Sequence, residues 1–165
     1  MKKIAAFFLL TILSMTACAG EDGKTIRGRV ARISDGDTIT VVTAGNKRQK
    51  VRLYGVDAPE LHQAFGQKAR TQLEKLIDGH DVNVEEVDID DYGRVVGIVT
   101  IGGENLNLQM VKSGYAWVYS HFCRKSFCRD WEREEAEARR ARRGLWREKE
   151  PMPPWDWRRA NRKRH

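Results

Sequence analysis

The sequence predicts an α+β fold, mainly β, in which five strands close into a small barrel with three α-helices around it. Two observations predict it. From Lys24 to Thr43, and again from Asp81 to Ile101, Val, Ile and Thr recur in short runs parted by Gly-bearing turns. Runs of that kind read as a meander of strands. Between the two blocks, Leu61, Phe65, Ala69, Leu73, Leu76 and Ile77 recur at spacings of three and four. That stripe is the apolar face of a helix.

The elements follow in order. Ile26, Val30 and Ile33 belong to a first strand, ended by the Asp35-Gly36 turn. Thr38 to Thr43 is the second, and Gln49 to Tyr54 the third, with Gly45-Asn46-Lys47 between them. A helix is expected directly after Glu60, weakened slightly by Gly66 and stopped at Gly79. Asp81 to Val87 and Arg94 to Ile101 are the fourth and fifth strands, joined through Asp91-Tyr92-Gly93. Leu106 to Lys112 is a second helix stopped by Gly114, and Tyr115 to Tyr119 a short extended piece. Trp131 to Arg143 is a third helix ended by Gly144, after which Leu145-Trp146 turns back onto the core. Five strands with a helix between the third and fourth fit a Greek-key barrel of the OB-fold type. The pattern alone also allows a generic α+β sandwich.

Three segments divide the chain: a leader over 1–19, the domain over 24–147, and a Pro/Trp/Arg-rich basic tail over 148–165. Lys2 and Lys3 precede a mostly apolar run, Ile4 to Leu13, and small residues follow at Thr16, Ala17 and Ala19. This reads as a signal peptide, with a run too short for a membrane span. Ala17-Cys18-Ala19 offers one cleavage site. Met15-Thr16-Ala17-Cys18 offers a lipobox instead, with Cys18 lipidated and anchored to a membrane. The expected location is therefore outside a bacterial cytoplasm, either periplasmic or secreted, or membrane-anchored as a lipoprotein. Cys123 and Cys128 remain, too few for a structural zinc site. In an oxidising compartment they read as a local disulfide, with two free thiols the alternative.

The chain carries 30 basic and 23 acidic residues, a net of +7. Much of the excess lies in the last segment, Pro151 to His165, where Arg158, Arg159, Arg162, Lys163 and Arg164 face one acid, Asp156. Aromatics interleaved with cations can stack on bases and hold phosphates. A solvated, disordered basic end is the plainer reading and the favoured one. The proline-rich start of the tail is read as unable to continue a helix.

Chemistry concentrates in three motifs: Asp35-Gly36-Asp37-Thr38, Arg52-Leu53-Tyr54-Gly55-Val56-Asp57-Ala58-Pro59-Glu60, and Tyr92-Gly93-Arg94. Carboxylates gather a hard cation. Arginine grips phosphate with a fixed charge. Each motif alone has a plain reading: a turn cap for Asp37, a helix-terminal acid for Glu60, a solvated side chain for each arginine. Together, carboxylates and guanidinium groups around one phosphate make a phosphodiester-cleaving site. Four residues separate Arg52 from Asp57, so strand geometry puts both at one end of the sheet.

In order and spacing these motifs resemble the thermonuclease, or staphylococcal-nuclease-like, family over about Thr25 to Trp146. The resemblance implies Ca2+ held by Asp37, Asp57 and the carbonyl of Ala58, where some relatives have threonine. Asp35 is near enough to support the cation indirectly, or is a plain turn residue. Glu60 is implied to activate or position water, and Arg52 and Arg94 to stabilise the phosphate. Tyr92 and Tyr119 are implied nucleotide contacts, Tyr119 with core packing as an equal alternative. His62, His80, His121 and His165 fit no catalytic pattern.

The implied activity is calcium-dependent endonucleolytic hydrolysis of DNA and RNA, single-stranded or frayed, leaving 3′-phosphate ends, by a monomer. A catalytically silent nucleic-acid-binding module on the same barrel and a structural envelope lipoprotein are the alternatives.

Overall fold

The structure, a computed structural model, describes residues 24–162. The leader, the Cys18 lipobox and the last three residues lie outside the described residues. The elements in chain order are β1 (Thr25–Ile33), β2 (Thr38–Thr43), β3 (Arg48–Leu53), β4 (Val56–Asp57), α1 (Gly66–Ile77), β5 (Asp81–Ile89), β6 (Val95–Ile101), β7 (Glu104–Asn105), α2 (Leu106–Lys112), β8 (Trp117–Val118), α3 (Cys128–Arg140) and α4 (Pro154–Arg162). A 3₁₀ turn, Gly144–Arg147, follows α3. Among the described residues no helix is long and apolar enough to cross a membrane.

Strand alternation builds the barrel. Ile39 and Val41 of β2, and Val82 and Val84 of β5, are fully buried, while Thr40, Asp81, Asn83 and Glu85 between and beside them are more exposed. That is the period of two that a sheet with one covered face requires. β1 pairs antiparallel with β2 and with β5, β2 with β3, and β5 with β6. β3 then runs parallel to β6 through Val51↔Val95, Arg52↔Val96 and Leu53↔Gly97, and the barrel closes. This is the five-stranded OB-type barrel, not the open sandwich. Val51, Leu53, Val95 and Val99 fill it, and Ala69 and Leu73 of α1 join the same core. Burying each aliphatic side chain contributes about 1.5–3 kcal/mol.

Asn107 stitches the closing seam. Fully buried, it accepts from the Val99 amide at 3.0 Å and donates to the Tyr54 and Gly97 carbonyls at 3.0 and 3.1 Å. Each of those backbone groups would otherwise lack part of its bonding.

Three expectations are corrected. α1 begins at Gly66, not directly after Glu60. Residues 61–65 instead form tight turns, with Gln63 N–H donating to the Glu60 carbonyl and Gly66 N–H to the Gln63 carbonyl. Phe65 takes a left-handed φ of 66° there, so Leu61 leaves the helical stripe. α3 runs three residues earlier than expected, because Cys128 starts it from the disulfide and Arg142 at φ 50° turns the chain beyond it. The third correction concerns the tail, where residues 154–162 form α4, a fourth helix, instead of an irregular end. Prolines cannot continue a helix but suit its first turn, where the missing N–H has no partner to lose.

Candidate active site

One end of the barrel gathers the three motifs. Asp37 ends the turn before β2, and its carbonyl accepts from Leu53 N–H at 2.9 Å. The β2–β3 register sets Thr38 opposite Arg52, so Asp37 and Arg52 meet as strand neighbours. β4 carries Asp57 and is held by β8, where Asp57 pairs with Trp117. Asp37 is 2% exposed and Asp57 0%. Such carboxylates cost several kcal/mol to bury unless paired.

Arg52 supplies the pairing. Its Nη1 contacts Asp37 Oδ1, and its Nη2 donates to Asp57 Oδ1 at 2.7 Å. Asp37 Oδ1 also accepts from Thr38 Oγ1, and Asp37 Oδ2 from the Ala58 amide at 2.7 Å. Ala58 is therefore pinned between both aspartates. The turn that delivers Asp37 is closed by its own amide, which donates to Asp35 Oδ1 at 3.1 Å.

A cleft of about 440 Å³ opens over this end, lined among others by Asp35, Asp37, Arg52, Glu60, Tyr92, Arg94 and Tyr119. All but one of the residues expected at the site thus face one space; Asp57, fully buried, lies just beneath and reaches it through Arg52. Arg94 is steered by Asp90, to which its Nε donates at 2.6 Å. Burial pushes the Asp90 carboxyl up. Hydrogen bonds from the Arg94 amide and guanidinium, the guanidinium charge and the Tyr92 amide outweigh it, and the group sits below the usual carboxylate range. Tyr92 is 85% exposed at the rim, with the Arg94 guanidinium 5.4 Å from its ring centre. Glu60 does not cap a helix. It stands in the loop before α1, and Gly66 lets the helix start press against its backbone.

The donor set suits a hard cation. Two buried aspartates and a backbone pinned beside them are all oxygen ligands, the kind calcium takes. Among the described residues no group of three or more His, Cys, Asp or Glu side chains stands at metal-holding separation. The fit therefore rests on Asp37, Asp57 and the Ala58 carbonyl together. Cys123 and Cys128 form the disulfide, with Cα atoms 5.7 Å apart. It closes the loop that follows Tyr119, and Tyr54 Oη accepts from the Arg124 amide within it at 2.9 Å. His62, His80 and His121 are exposed and outside the carboxylate cluster, and His165 lies outside the described residues.

Two residues at the site were missed in the sequence. Arg158 of α4 donates through Nη1 to Asp57 Oδ1 at 3.1 Å and Glu60 Oε1 at 2.7 Å, and through Nη2 to Asp57 Oδ2 at 2.8 Å. Burial pushes its guanidinium pKa down, but those bonds and charges outweigh it and raise it. Trp155 stacks on Tyr119, with ring centres 5.1 Å apart and planes within 10°. The available signal was Pro154 followed by Asp156 and Arg159, a proline-started helix with an i,i+3 ion pair. A groove of about 630 Å³ between α3 and the tail is lined in part by Trp155 and by none of the residues expected at the site. Burial raises the Glu135 carboxyl there, opposed by Arg139.

A closed OB-type barrel with carboxylates and arginines at one rim defines a class of phosphodiester-cleaving domains. The family described as "Staphylococcal nuclease homologue" matches residues 50–148. A "Micrococcal nuclease" of Shigella flexneri is 40% identical over 98% of this chain and 93% of its own. An "Uncharacterized endonuclease" of Haemophilus influenzae is 39% identical over 96% and 86%. A "Probable staphylococcal-like nuclease CAN2" of rice, Oryza sativa subsp. japonica, is 40% identical over 70% of this chain and 31% of its own. The chain belongs to the staphylococcal nuclease family, a family of phosphodiester-hydrolysing endonucleases.

Proposed function

We propose that this endonuclease hydrolyses DNA and RNA in a calcium-dependent reaction that leaves 3′-phosphate ends. The observation that supports it most is the pair of buried aspartates bridged by Arg52 beneath a cleft that Glu60 and Arg94 also line. Asp37, Asp57 and the Ala58 carbonyl would hold Ca2+, which when bound supplies Lewis-acid stabilisation of phosphate charge. Glu60 positions or deprotonates the attacking water, which needs only hydrogen-bond reach. The water oxygen bonds to phosphorus and the P–O5′ bond breaks, giving a 3′-phosphate and a 5′-hydroxyl. Arg52 and Arg94 offer fixed donors to the oxygens that gain charge on the way. Arg94 is already oriented by Asp90, which is not a cation ligand, so it need not be ordered as the reaction proceeds.

The cleft is open at its rim and carries aromatic side chains at Tyr92 and Tyr119. Stacking surfaces without a groove-reading element favour single strands or frayed ends, with little sequence preference. The enzyme acts as a monomer outside the bacterial cytoplasm, soluble or anchored through Cys18.

Degradation of single-stranded DNA, with calcium and with a chelator, tests the reading alongside Glu60→Gln. Cleavage that needs calcium and falls at least 100-fold in the variant is the expected result. DNA that is bound but left intact by the calcium-loaded wild type would favour the silent binding module.

A further inference from the structure

We propose that the C-terminal segment is an intramolecular plug that competes with the divalent cation for the catalytic carboxylates. This inference rests on the reading of Asp57 as a cation ligand. Arg158 is bonded to both oxygens of Asp57 and to Glu60 at once. With Arg52 also on Asp57 Oδ1, guanidinium groups take three of the roughly four acceptor sites of the Asp57 carboxylate. A divalent cation and Arg158 want the same oxygens, and both bring positive charge to them. Only one can be seated at a time.

The rest of the segment packs beside the cleft. Trp155 lies flat on Tyr119, taking the face that a nucleobase would stack on. It also meets the Trp117 ring edge-on at 6.4 Å. Gln63, in the loop just after Glu60, donates to the Met152 carbonyl at 2.6 Å and ties the segment down at its start. The plug thus occupies the Asp57 and Glu60 carboxylates and the stacking face together.

Its hold is built to be reversible. α4 has nine residues, and only Pro154 among them is buried. A helix that short has little stability of its own, so its order depends on docking. The link from the 3₁₀ turn, Glu148 to Glu150, is exposed. Displacing Arg158 therefore releases a short segment and leaves the barrel core intact. While the plug is seated, the cation sees only the fraction of molecules in which it is open, and its apparent affinity falls by that fraction.

Calcium binding to the full-length protein, measured by isothermal titration calorimetry without nucleic acid, tests this on wild type, Arg158→Ala and Trp155→Ala. The expected result is binding about tenfold tighter or more in Arg158→Ala, and tighter also in Trp155→Ala, where every charge at the carboxylates is kept. Circular dichroism confirms that each variant is folded. Equal or weaker calcium binding in Arg158→Ala overturns the plug. Tightening in Arg158→Ala without any in Trp155→Ala also overturns it, since Arg158 would then be a local counter-charge. If no protein binds calcium yet wild type cleaves DNA in chelator, the calcium reading itself fails and the plug with it. Wild-type affinity in all variants together with calcium-dependent cleavage defeats the plug alone.

Discussion

Gly66→Ala should uncouple stability from activity. Gly66 opens α1, and a Cβ there would overlap the Glu60 carbonyl oxygen while standing 2.7 Å from its carbonyl carbon and 2.9 Å from Leu61 Cα. All three are backbone atoms and cannot rotate away. Clearing the carbonyl oxygen to an ordinary contact of roughly 3.2 Å moves the Glu60 carbonyl by about 1.3 Å. Alanine favours a helix by about 1 kcal/mol over glycine, while the overpacking costs about 1–3 kcal/mol. The net change in stability is therefore small, a loss of about 0–2 kcal/mol. The consequence falls on the Glu60 carboxylate, whose backbone anchor has moved by about an ångström or more. Misplacement on that scale costs on the order of 100-fold in rate. Steady-state cleavage of a fluorogenic single-stranded oligonucleotide, with thermal melts in parallel, measures both. Wild-type turnover in a fully folded Gly66→Ala protein would refute the argument that this close approach sets the Glu60 position.

Two further predictions concern the frame of the site. Asn107→Leu leaves the Val99 amide without its partner in the buried seam, and should destabilise the domain by roughly 3 kcal/mol. A fall in Tm of about 6–12 °C is expected in a thermal melt, and a fall under 2 °C would show that the seam closes without it. Asp90 has a folded pKa below its unfolded value of 3.8, so its contribution to stability is present above that value and is lost as pH falls through the lower, folded pKa. An NMR titration of the Asp90 carboxyl should show a midpoint below that of an exposed aspartate, moving back up in Arg94→Ala.

Most of the barrel was legible because strand alternation and glycine turns are local signals. Leu106–Lys112 was legible as a helix with the same ends in sequence and structure, since Asn105 caps it through the Leu108 amide and Gly114 stops it. The start of α1 was not legible. Leu61 continues an apolar spacing that the turn at residues 61–65 breaks, and only the packing of Gly66 on Glu60 shows why.

The site divides the same way. Asp37, Arg52, Asp57, Glu60 and Arg94 stand in short motifs, where a register of two strands or a single turn carries each to the same rim. Their chemistry can be read before any fold is known. The place of Arg158 could not be read, because it stands 101 positions beyond Asp57. Contacts that distant in sequence carry no periodicity and no spacing. The tail's composition determined that cations and tryptophans would travel together. Where they land was decided by the tertiary structure, where buried carboxylates facing an open cleft leave negative charge for a guanidinium to meet.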